Sequence, residues 1–176
     1  SAISFASDDP SETVERLSEA LSDADLVLIS GGISVGDYDF VAQALSRIGV
    51  ETIFYTVRQK PGKPLFFGKK GNKAVFALPG NPASTLSCFY VYVLRWLRLC
   101  QGLTISKNYK RLALPIENRF RRALFVKASV KADEVLPIDE FNSATLLSFS
   151  KSDALIYVPA DCAMLAAGSI VEIIDL

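Results

Sequence analysis

The period of the apolar residues changes at Gly102, and that change limits the architecture more than any single motif does. Upstream, continuous apolar runs alternate with residues spaced at three and four, the pattern of strands and amphipathic helices in turn. Residues 3–5 read as a strand. Asp9 then reads as an N-cap, with Pro10 at the first helical position and Glu12 three residues after the cap. Val14, Leu17 and Leu21 share one helical face, so this helix is predicted to run to about Ser22. The run 26–29 predicts a strand buried on both faces. Val41, Ala44, Leu45 and Ile48 predict a second helix, stopped by Gly49. Residues 51–57 read as a strand, and 65–67 with 74–77 as a hairpin around 69–72. Asn81 as cap and Pro82 as first residue open the strongest helix, with Leu86, Phe89, Tyr90, Val93, Leu94 and Leu97 on its predicted stripe and an end near Cys100. Such alternation implies an α/β sheet with helices on its faces.

Downstream, Leu112, Leu114 and Ile116 alternate with polar or small residues, as do Leu124, Val126, Ala128 and Val130. Residues 154–158 and 170–174 are further short strands, and only 144–149 reads as a helical turn. The expectation is an α/β domain over 1–103 and a small, mostly β barrel over 104–176, joined by a linker near 102–108.

Composition narrows the chemistry. The 176 residues are 50% hydrophobic, enough to bury a core, and carry 19 basic against 19 acidic side chains. A net charge of zero argues against a general nucleic-acid or membrane-surface binder. The sequence has no histidine, which excludes Ser-His-Asp and Cys-His nucleophiles and His-ligated metal sites. Cys88, Cys100 and Cys162 form no CxxC pair, which fits a reducing compartment, and a cytoplasmic location is expected.

Three loops, each following a predicted strand, are the candidate chemistry, because ligands of open α/β sheets bind outside the carboxyl ends of strands. The first runs Ser30-Gly31-Gly32-Ile33-Ser34-Val35-Gly36-Asp37-Tyr38-Asp39, where glycines let backbone N–H groups approach an anion; taken alone, it serves equally as a plain turn. The second, Lys60-Pro61-Gly62-Lys63-Pro64, presents two lysines, each followed by a proline; lysine is a point charge for oxyanions such as phosphate or molybdate, and the alternative is a solvated basic turn. The third, Leu78-Pro79-Gly80-Asn81-Pro82-Ala83-Ser84, enters the strongest helix, and by itself is simply a good cap. Asp8 and Asp39 end the first strand and the first loop; both fit a hard cation such as Mg²⁺, and capping remains an equal reading.

Together, SGGISVGDYD, KPGKP and LPGNPAS, in this order and at these intervals, resemble the MoeA family, the molybdopterin molybdenumtransferases to which the E domain of gephyrin also belongs. The resemblance covers essentially the whole chain. It implies an incomplete molybdopterin-binding three-layer α/β/α domain followed by the small C-terminal β-barrel. The implied reaction is insertion of molybdate into molybdopterin-adenylate, with release of AMP and assistance from Mg²⁺.

Matched residue by residue, the resemblance gives catalytic roles to Asp39 and Lys60, and the metal to Asp8 and Asp39. It gives substrate or oxyanion contacts to Gly31, Gly32, Ser34, Lys60, Lys63, Pro79, Pro82, Ser84, Lys127 and Ser143. Lys127 stands where an arginine is common, Thr56 where some members have lysine, and Asn142 where glycine is usual. No TGDE-like strand end is present, so the chain is expected to be the C-terminal portion of a longer protein and inactive alone. Small-molecule substrates and a homodimer or larger assembly are expected, without nucleic acid or membrane. A gephyrin-like scaffold that binds a partner peptide is a lesser alternative. A molybdopterin adenylyltransferase of the related fold is another, disfavoured by the second domain.

Overall fold

The computed structural model describes residues 2–7, 9–33, 40–138 and 146–176. The chain divides into two compact units: Ser1–Val57 with Lys63–Gly80, and Arg58–Gly62 with Asn81–Leu176.

In the first unit, helix α1 (Pro10–Asp23) starts where the sequence predicts. The Asp9 carboxylate accepts hydrogen bonds from the N–H groups of Ser11 and Glu12 at 2.9 and 2.8 Å. These are donors that the first turn of a helix otherwise leaves unpaired. The reciprocal half of a capping box is absent: the Glu12 carboxylate accepts instead from the Ser7 N–H and hydroxyl. Those bonds hold its pKa below the ordinary value.

Strand β1 (Leu26–Ser30) leads to α2 (Phe40–Arg47), which Gly49 stops. There the Gly49 N–H donates to Ser46 O and the Val50 N–H to Leu45 O, at 3.1 and 2.9 Å, closing the helix end. Strand β2 (Glu51–Tyr55) follows. A two-residue strand, β3 (Gln59–Lys60), belongs to the other unit. Then β4 (Phe66–Lys70) and β5 (Lys73–Leu78) form the predicted hairpin, with Lys70 opposite Lys73. The sheet order is β1-β5-β4-β2, and only β1 and β5 run parallel. Leu17 and Leu21 of α1 and Val41, Ala44 and Leu45 of α2 pack with Val27, Val50, Phe66, Val75 and Ala77 in one core.

Two expectations fail here. Residues 3–5 join no ladder, and Ile3 and Phe5 are 89% and 85% exposed. Strand β1 is not buried on both faces: Val27 enters the core, whereas Leu28 is 44% exposed. Successive side chains point to opposite faces, and in this unit both helices contribute to the core that receives Val27.

In the second unit, one helical rod runs from 82 to 100 as α3 (Pro82–Cys88), a π-helical turn (Phe89–Val93) and α4 (Leu94–Cys100). Its fully buried residues are Ala83, Ser84, Ser87, Cys88, Val91 and Val93. Of the predicted stripe only Val93 is fully buried; its other members are half-buried. The wider π-turn rotates the faces that a constant 3.6-residue period would align.

The remaining strands are β6 (Asn108–Leu112), β7 (Ile116–Glu117), β8 (Ala123–Lys131), β9 (Glu134–Pro137), β10 (Ala154–Val158), β11 (Met164–Leu165) and β12 (Ile170–Asp175). Five of them close a ring, β8-β10-β12-β6-β9 and back to β8. A closed ring leaves no free edge, which is how a small β domain hides its unpaired backbone groups. The period-two alternation on β8 sends Leu124, Val126, Ala128 and Val130 into this core. Leu114 breaks the expected pattern: it lies between strands and is 52% exposed. A 3₁₀ segment, Leu146–Lys151, overlaps the predicted helical turn. Among the described residues, no helix is long and apolar enough to cross a membrane.

Candidate functional site

In the first unit, the parallel pairing of β1 with β5 brings two of the sequence loops together. Ser30 pairs with Leu78, so Gly31-Gly32 and Pro79-Gly80 leave adjacent carboxyl ends. The Gly31 N–H donates to Leu78 O at 3.2 Å, and a Cβ on Gly80 would lie 3.5 Å from Gly31 Cα. Gly32 has φ of +69°, and a Cβ there would lie 2.7 Å from Val41 Cγ2, so the loop closes onto α2 only without a side chain. Pro79 is buried. Lys63 is exposed, and its carbonyl accepts from the Val57 N–H at 2.9 Å.

The second lysine loop residue belongs elsewhere. Lys60 ends β3, which pairs parallel with β8 through Gln59 with Ala123 and Lys60 with Leu124. It is thus a strand residue of the second unit, not part of a free turn. The Lys60–Pro61 peptide bond is cis. The Lys60 ammonium lies 3.7 Å from the centre of the Phe120 ring. Phe120 is held by Asn118, whose side-chain oxygen accepts from the Phe120 N–H at 3.2 Å. The Asn118 amide donates in turn to Arg122 O and Pro159 O, at 2.9 and 3.1 Å.

At the start of the helical rod, Pro82 is exposed and Ser84 only 6% exposed. The Asn81 side-chain oxygen accepts from both the Ser84 N–H and the Ser84 hydroxyl, at 3.1 and 3.3 Å. Lys127 lies on the β8 face opposite the barrel core, yet is only 7% exposed. Its ammonium donates to the Ser148 hydroxyl and lies 5.8 Å from the Phe149 ring centre. A buried ammonium needs such partners, because desolvating an unpaired charge costs several kcal/mol.

Asp8, Ser34, Asp39 and Ser143 lie outside the described residues. Among the described residues, no group of three or more Cys, Asp or Glu is placed to hold a metal ion. Sequence reasoning missed Gln59, Phe120, Asn118 and Ser148. Each is a single residue with no period or motif around it, and only its tertiary partners distinguish it.

Comparison with known proteins identifies the pattern. Residues 1–99 match the family model described as "Probable molybdopterin binding domain", and residues 110–176 that of the MoeA C-terminal region, domain IV. The molybdopterin molybdenumtransferase of Synechococcus elongatus is 32% identical over 99% of this chain and 44% of its own length. The gephyrin of Dictyostelium discoideum is 31% identical over 93% of this chain and 27% of its own. A crystal structure of a molybdopterin biosynthesis MoeA protein from Pyrococcus horikoshii superposes with a TM-score of 0.78 at 28% identity, over 96% of this chain and 41% of that one. The chain spans about two fifths of the length of the curated molybdenumtransferases it matches. With the molybdopterin-binding region and the C-terminal region matched in order along its 176 residues, this chain belongs to the MoeA family.

Proposed function

We propose that this chain supplies the oxyanion-binding part of a molybdenum-inserting transferase of molybdenum cofactor biosynthesis. In this reading a protein of full family length inserts molybdate into molybdopterin-adenylate and releases AMP. The observation that carries it is the convergence of Gly31-Gly32 and Pro79-Gly80 at the carboxyl ends of two parallel strands. That is where an α/β sheet offers backbone N–H groups to a negatively charged ligand.

By their match to the family, Lys60, Lys63 and Lys127 are the candidate positive charges for a tetrahedral dianion, and Ser84 and Ser143 the candidate hydroxyls. Gly31, Gly32 and Ser34 are assigned to substrate binding, and Pro79 and Pro82 to the oxyanion. Mg²⁺ is assigned to Asp8 and Asp39, carboxylates suited to a hard cation shared with phosphate oxygens. The metal would neutralise charge on the adenylate; Asp39 and Lys60 would orient the reacting groups. A homodimer in the cytoplasm completes the reading. The match of residues 110–176 to the MoeA C-terminal region favours it over an adenylyltransferase of the related fold.

Molybdate titration by calorimetry tests the reading. The wild-type chain is expected to bind molybdate, and to gain thermal stability from it as any ligand of the folded state requires. Lys60→Ala and Lys63→Ala should each weaken binding about tenfold, at nearly unchanged stability without ligand. Unchanged affinity in both variants would overturn it.

A further inference from the structure

We propose that Gln59 is the positioning residue of the lysine loop, tying the Lys60–Pro61 segment to the helical rod through its buried side-chain amide. The proposal rests on the reading of Lys60 as an oxyanion contact, and everything it uses lies within the second unit.

Gln59 is 3% exposed, unusual for a polar residue beside a charged loop. Its amide nitrogen donates to Pro61 O at 3.0 Å and to Cys88 Sγ at 3.8 Å. Its amide oxygen accepts from the Tyr92 hydroxyl. A glutamine has two N–H donors and one carbonyl, and all three are engaged.

The partners come from different elements. Cys88 ends α3 and Tyr92 lies in the π-turn, four residues on, so both reach Gln59 from one side of the rod. On its backbone side, β3 pairs with β8, and the Ala123 N–H donates to Arg58 O at 3.0 Å. Residues 59 and 60 are therefore clamped twice: by main chain to the barrel and by one side chain to the rod. The neighbouring Lys60 ammonium then meets the Phe120 ring.

An aliphatic residue of similar length would fill the same space. It would leave the Pro61 carbonyl and the Tyr92 hydroxyl without these partners, and the side-chain tie between loop and rod would be lost. The network is also electrically quiet. Burial pushes the Cys88 thiol up to about 12, and burial raises Tyr92 to about 12 as well, so both stay neutral at any ordinary pH. A neutral network holds the loop without adding a negative charge that would compete with a bound anion for Lys60.

The test compares wild type, Lys60→Ala, Gln59→Met and Tyr92→Phe in the 176-residue chain. Three quantities are read: molybdate affinity by calorimetry, hydrogen exchange of the peptide covering 58–68, and urea unfolding. Gln59→Met should weaken molybdate binding about tenfold and speed exchange in that peptide by about the same factor, with β10 and β12 unchanged. Tyr92→Phe deletes a single hydroxyl and should weaken binding about threefold; it carries the test if Gln59→Met fails to fold.

A structural residue alone would lower stability in urea and leave the affinity of the folded fraction intact. If Lys60→Ala weakens binding and the Gln59 and Tyr92 variants bind as wild type does, the positioning role is overturned and the oxyanion reading stands. If Lys60→Ala itself binds as tightly as wild type, Lys60 is not an oxyanion contact and the proposal falls with it, while Lys63→Ala then decides the wider oxyanion reading.

Discussion

The Lys60 ammonium sits 3.7 Å from the centre of the Phe120 ring, so a candidate oxyanion ligand is held over an aromatic face rather than left to sample solvent. The ring's negative face attracts the cation, by about 0.5–1 kcal/mol at a partly exposed site such as this. Phe120→Leu keeps the bulk and removes that face. It is expected to weaken molybdate binding about threefold with little change in Tm, and Phe120→Trp to bind at least as well as wild type. Calorimetric titration of the three proteins decides this; equal affinities would show that the ring does not preorganise the lysine.

Asn118 is the post on which the Phe120 loop hangs. It is 5% exposed, and its side chain bonds Phe120 N–H, Arg122 O and Pro159 O. Asn118→Ala removes these three hydrogen bonds, with Pro159 O keeping its bond from the Cys162 N–H, at an expected cost of about 2 kcal/mol in urea unfolding. Asn118→Asp keeps the bond from the Phe120 N–H and loses both donated bonds, so its loss should be comparable. A change under about 0.5 kcal/mol in both would mean that the loop is held otherwise.

Gly31 and Gly32 separate backbone strain from crowding. Both have positive φ, +87° and +69°, but a Cβ on Gly31 meets nothing within 4 Å, whereas one on Gly32 meets Val41 Cγ2 at 2.7 Å. Gly31→Ala should cost about 1 kcal/mol, the penalty of the left-handed region alone. Gly32→Ala should cost about 1 kcal/mol more, and a Val41→Ala background should return that excess but not the rest. Denaturant midpoints of wild type, Gly31→Ala, Gly32→Ala, Val41→Ala and the Gly32→Ala/Val41→Ala double variant test this, and equal losses at the two glycines would contradict it.

The buried Cys88 predicts an alkaline loss of stability. Desolvation raises its pKa from 9.0 to about 12, so the folded state keeps the proton after the unfolded chain has released it. Its contribution is complete below the unfolded value and falls as pH rises from there towards the folded value, with a slope of up to about 1.4 kcal/mol per pH unit. Tyr92 has the same sign, raised from 10.0 to about 12 chiefly by burial. Urea unfolding across this range should therefore show a shallower decline for Cys88→Ala than for wild type. Parallel curves would show that the thiol does not titrate differently in the two states. The exposed Cys100 should react with a maleimide at pH 8 well before Cys88 does.

The three helices, the 65–78 hairpin and the inward face of β8 were legible because their signals are local. A cap, a 3.6- or 2-residue period and a stop residue lie within one short window. The order of the three loops carried the family in the same way. Tertiary structure alone decided the rest. A strand of two residues leaves no period, so Gln59 and Lys60 could be assigned to β3 only from their pairing with β8. The π-turn that changed the buried face of the rod has no sequence mark here, and the exposure of Leu28 reflects which face of β1 meets the unit's core. Lys127 reads in sequence as an outward residue on an alternating strand, and it is buried because a segment some twenty residues later brings Ser148 and Phe149 against it. Periodicity records which face of an element avoids water, but which distant groups meet there is set by chain closure and packing between elements.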